Sequence, residues 1–158
     1  MKINYIGLIG AILAFISIVL PWWTLTTTIE ITTSADLYLY QPSGTFGAVV
    51  LTTDEAWFCW AALALIIVAG VLGIVGSATG YGKKILIGGG AFALLSIIIF
   101  AVGLQMSSLG ANYGLFATGL DYSAYLSYGF WLALVAMILM FAAIVLKPKE
   151  TATQSQPT

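Results

Sequence analysis

Asp54 and Glu55 are the only adjacent carboxylates in the sequence. Two neighbouring acids can serve as general acid and general base when their surroundings drive their pKa values apart and a third group completes the site. Here the chain has no histidine to act as that group. The pair stands directly before a long apolar run and reads as a helix start, with carboxylates at the positive end of the backbone dipole. Cys59 is the single cysteine, so no intrachain disulfide exists and no thiol–imidazole pair is available. Its place one turn inside an apolar run suits a small core residue. No GxxxxGK[ST], strand-linked GxGxxG, CxxC or HExxH motif occurs, and no cofactor or metal is expected. Five lysines and no arginine also make a poor nucleic-acid footprint. The expectation is a non-enzymatic protein.

The elements that carry these residues are apolar to an extent that excludes a water-solvated core. Of 158 residues, 61% are hydrophobic and 7% charged, with a mean hydropathy of +1.05, whereas a soluble domain is about 25% charged. A helix needs roughly 20 apolar residues to cross the hydrocarbon of a bilayer. Four charge-free stretches meet that length, at residues 3–23, 56–78, 85–106 and 125–146. They predict an all-α membrane protein: a single four-helix transmembrane domain over 1–149, with a disordered cytoplasmic tail over 150–158. Lys2 ahead of the first stretch also fits a secretory signal peptide, but no A-x-A-like cleavage site follows it.

The lysines set the direction. Lys2, Lys83, Lys84, Lys147 and Lys149 fall before the first span, between the second and third, and after the fourth; Glu30, Asp36, Asp54, Glu55 and Asp121 fall in the other two connections. The positive-inside tendency therefore predicts a multi-pass protein of the cell membrane with both termini cytoplasmic. All five tryptophans, Trp22, Trp23, Trp57, Trp60 and Trp131, lie at the outer ends of the spans, where an indole suits the interface.

The first outer loop, 24–55, has strand character. Leu25, Ile29 and Ile31 alternate with threonines and Glu30, Tyr38 and Tyr40 alternate with aliphatic residues, and Gln41-Pro42-Ser43-Gly44 supplies turn chemistry. The prediction is a small extracellular antiparallel β-sheet of three strands from this loop alone. Within the spans, Gly70, Gly73 and Gly76 recur every three residues, the mark of a close helix contact in lipid. Ser17, Ser96 and Gln105 are the notable polar side chains, and they form no conduction line. Trp60-Ala-Ala-Leu-Ala-Leu-Ile-Ile and Trp131-Leu-Ala-Leu-Val-Ala-Met-Ile hint at a parallel repeat.

Leu20-Pro21-Trp22-Trp23 at the first exit, four spans and a β-type first outer loop resemble the claudin-like tetraspan membrane proteins. The resemblance implies a four-helix bundle capped by an extracellular sheet and a role in lateral or cell-to-cell assembly. The chain departs from that family's first loop, carrying Thr45-Phe46-Gly47 in place of a G-L-W segment and no cysteine pair. The expected function is assembly with itself or with other membrane proteins in the lipid bilayer. Candidate interface residues are Trp22, Trp23, Ile29, Ile31, Tyr38 and Tyr40 in the outer part and Gly70, Gly73 and Gly76 on a helix face. An accessory subunit of a larger membrane complex, such as a respiratory one, and a small-solute channel or transporter are the alternatives.

Overall fold

The computed structural model describes residues 3–28, 32–79 and 82–146. Among these residues five helices are formed: α1 (Tyr5–Val19), α2 (Trp57–Ala78), α3 (Gly82–Met106), the short α4 (Ser108–Tyr113) and α5 (Tyr128–Val145). The long ones form a ring in which α1 packs on α2 and α5, and α3 packs on the same two. Their interior is built of small residues and aromatics: Gly7, Gly10, Ala11, Ala14, Ala62, Ala69, Ala133 and Ala136 are buried. Their outer flanks carry Ile9, Ile12, Ile16, Ile67, Val71, Ile74, Leu95, Ile98, Val135 and Ile138, all exposed. A bundle more aliphatic outside than inside is solvated by hydrocarbon, since in water those side chains would be the ones buried.

Among the described residues three helices, α2, α3 and α5, are long and apolar enough to cross a membrane, with 22, 25 and 18 residues. The expected first span is shorter: α1 has 15 residues. Its start is set by Asn4, whose side chain accepts from the Gly7 N–H. Its end is set by Leu20, held extended at φ −98°, ψ 152° ahead of Pro21, because the proline ring disfavours a helical residue before it. Trp22 and Trp23, expected to finish the span, are drawn into the sheet junction.

The sheet is also not the one expected. Its four strands run β2 (Thr33–Leu37), β1 (Trp23–Thr27), β6 (Tyr122–Leu126), β5 (Ala117–Thr118), all neighbours antiparallel. Half of it therefore comes from the connection between α3 and α5, and residues 125 and 126, expected to open the last span, are strand. The tail of the first loop folds back as a separate hairpin, β3 (Gly44–Phe46) and β4 (Val49–Leu51). Gly47 takes φ +59° in its turn, a conformation that glycine adopts without steric cost.

Trp22, Phe58, Phe100 and Phe130 join bundle to sheet. The Trp22 ring lies 5.0 Å from Phe100 and 5.9 Å from Phe130, and Phe58 lies 5.7 Å from Phe100, all edge-on. One ring comes from each of α2, α3 and α5 and one, Trp22, from the link between α1 and β1. Such edge-to-face pairs add about 0.5–1.5 kcal/mol each beyond their burial.

Candidate assembly surface

Residue parity along the strands decides which side chains meet. Trp23 faces Leu37 and Leu126 across β1, and Leu25 faces Ala35 and Ala124. These apolar pairs share one face of the pleat. The β3–β4 hairpin covers that face through Phe46, 6.0 Å from the Trp23 ring. Tyr113 of α4 closes over the hairpin turn, its hydroxyl accepting from the Ala48 N–H at 3.1 Å, while its ring lies 5.2 Å from Tyr122.

The opposite face is hydroxyl-rich. By the same registers it carries Thr24, Thr26, Ser34, Asp36, Ser123 and Tyr125. Thr24 donates to the Asp36 carboxylate at 2.7 Å across the β1–β2 pair. Ser34, Asp36 and Tyr125 are exposed. Next to this face Tyr38 and Tyr40 stand with ring centres 5.4 Å apart, the first half-buried and the second exposed. Partial burial, then Asp36 and the Tyr40 hydroxyl, push the Tyr38 phenol above its usual pKa.

The other expected interface residues are placed differently. Trp22 and Trp23 are fully buried, so neither presents a contact surface on this chain. The Trp22 indole N–H donates to the Ser17 carbonyl at 2.8 Å. The Trp23 indole N–H is the one buried side-chain polar atom without a partner among the described residues. Gly70, Gly73 and Gly76 are buried inside the ring, against Phe15, Ala11 and Leu86 respectively. The glycine face of α2 is thus consumed within the chain. Ile29 and Ile31 lie outside the described residues. Trp57, Trp60 and Trp131 are exposed on the helix flanks. Trp60 and Trp131 each stand one turn into their helices.

Asp54 and Glu55 do not cap α2. Ala56 holds the cap position without a side-chain hydrogen bond, and the Glu55 carboxylate accepts from Ser108 Oγ at 3.0 Å instead. Together with Trp57, Met106, Ser107 and Ser108 the two acids line an open cleft of about 400 Å³ between the sheet-side ends of α2 and α3. Among the described residues no three histidine, cysteine or acidic side chains converge.

The polar residues inside the ring divide by partner. Ser17 Oγ donates back to Ala14 and Ser77 Oγ to Gly73, both on their own helices. Ser96 Oγ crosses from α3 to the Ala62 carbonyl of α2 at 2.7 Å. Sequence reading missed this tie, along with Phe58, Phe100, Phe130 and the strands of the second connection. The alternation in Tyr122-Ser-Ala-Tyr-Leu126 after Gly119 carried the strand signal. Compared with known proteins, the chain matches no family model and no curated protein sequence.

Proposed function

We propose that this protein is a non-enzymatic, claudin-like tetraspan membrane protein that mediates lateral or intercellular assembly through the outer sheet. α1 crosses as the fourth span, helped by the extended Leu20-Pro21 segment. Both termini and the lysine-bearing first turn of α3 face the cytoplasm, and the sheet stands outside the cell membrane.

One observation carries the reading. The helix faces that would join neighbours in lipid, Gly70, Gly73 and Gly76 above all, are filled by the chain's own α1 and α3. What remains outside the aliphatic flanks is a sheet face of threonine, serine, aspartate and tyrosine, with a tyrosine pair beside it. Tyrosine-rich polar faces give large, rigid contact area with hydrogen-bonding tips and are common at specific, wet interfaces.

Two measurements test it. On a Cys59→Ala background, Ser34→Cys should react with a membrane-impermeant maleimide in intact cells, whereas Lys83→Cys should react only after permeabilisation. Equal labelling of both rejects the topology. Crosslinking through Ser34→Cys in native membranes should then trap a defined homo-oligomer or a constant partner. A strict monomer at every crosslinker length rejects assembly.

A further inference from the structure

The ring of helices has unequal height. At the end away from the sheet the elements are level, because the Asn4 N–H donates to the Ser77 carbonyl and its side-chain amide to Ala143. The start of α1, the end of α2 and the end of α5 are therefore in register. At the sheet end they are not. Gly129 N–H donates to Pro21 at 2.8 Å, so α5 begins where α1 has just stopped. At that level the Trp22 indole meets Phe100, more than a full turn before α3 ends at Met106. Phe58, in the first turn of α2, packs on Gly103, higher still.

With a rise of about 1.5 Å per residue, the 15 residues of α1 span about 22 Å and the 18 of α5 about 27 Å, against about 33 Å for the 22 of α2 and about 37 Å for the 25 of α3. The sheet fills the step, since β1 leaves α1 at Trp23 and β6 enters α5 through Leu126 and Ser127. A lipid hydrocarbon layer of about 30 Å matches the α2–α3 flank and exceeds the α1–α5 flank, most of all at the 15-residue α1.

We propose that the protein binds a locally thinned bilayer, packing lipids with short acyl chains against the joined flank of α1 and α5. This rests on the membrane reading above. Exposed Ile9, Ile12, Ile16 and Val19 of α1 and Val135 and Ile138 of α5 form the contact. A longer hydrocarbon layer would bury the hydroxyls of the strands beyond Pro21, an unfavourable transfer.

The test uses the full chain reconstituted in phosphatidylcholine vesicles with monounsaturated chains of 14, 18 or 22 carbons, read by thermal unfolding and by carbonate extraction. The expected result is retention in all three vesicle types, with the unfolding midpoint highest at 14 carbons and lower by several degrees at each longer step. A midpoint that peaks at 18 or 22 carbons, or is the same in all three, overturns the inference and leaves the membrane reading intact. Release by carbonate from every vesicle type overturns both.

Discussion

The Trp22 indole N–H donates to the Ser17 carbonyl at 2.8 Å, so the residue that leads the chain into the sheet also closes the open end of α1. Trp23, the next residue, is equally buried yet its indole N–H has no partner among the described residues. Replacing Trp22 by phenylalanine leaves a buried carbonyl unpaired and should cost about 1–3 kcal/mol. The same change at Trp23 removes an unpaired donor and should cost clearly less. Unfolding in detergent micelles, monitored by circular dichroism, compares the two, and a larger loss for Trp23→Phe contradicts the assignment.

Gly73 and Gly88 give a second contrast. A Cβ at Gly73 would stand 2.7 Å from Ala11 Cβ, whereas one at Gly88 would meet only Leu72 Cδ1 at 3.6 Å. Gly73→Ala should therefore push α1 from α2 and cost about 1–3 kcal/mol, the usual range for overpacking. Gly88→Ala should be neutral or slightly stabilising, since alanine favours the helix by up to about 1 kcal/mol. Unfolding midpoints of the two variants decide it.

The Ser96–Ala62 hydrogen bond ties α3 to α2 across the ring. Interhelical bonds in lipid average about 0.6 kcal/mol, because the separated helices also find partners. Ser96→Ala should lower stability by about that amount in bicelles and leave the far-ultraviolet spectrum unchanged. A loss of several kcal/mol would contradict this expectation.

Thr24 donates to Asp36 at 2.7 Å, a charge-assisted bond on the hydroxyl-rich sheet face. Thr24→Val should cost about 1.5–3 kcal/mol, in the range for bonds to charged groups. In the double variant Thr24→Val/Asp36→Asn the two losses should fall short of their sum, which a double-mutant cycle reads directly.

The Tyr38 phenol is held above its ordinary value, chiefly by partial burial and then by Asp36 and Tyr40. Its neutral form is therefore the one favoured by folding. The contribution is complete below the unfolded pKa of about 10 and is lost as pH rises through the folded value. Absorbance at 295 nm should show one late-titrating tyrosine that disappears in Tyr38→Phe. Asp36→Asn should bring it back toward the ordinary range.

Much of this protein was legible before any coordinates. The absence of charge from four stretches gives four apolar helices, three of them long enough to cross a membrane, because a helix satisfies its own backbone in hydrocarbon. Pro21 marks where α1 ends, through a purely local steric rule. The alternation after Trp23 marks β1, and the triple-spaced glycines of α2 mark a close contact.

Tertiary structure decided everything that depends on who meets whom. Gly70, Gly73 and Gly76 announce a neighbour without naming it, and the neighbours proved to be α1 and α3 of the same chain. Trp22 and Trp23 read as interfacial anchors by position, but Phe100, Phe130 and Phe46 enclose them, all from segments distant in sequence. β1 sits at the centre of its sheet because β6 returns from the second connection. Periodicity is a property of one segment and survives in the sequence, whereas the partner of a face is settled by packing, which is a property of the whole chain.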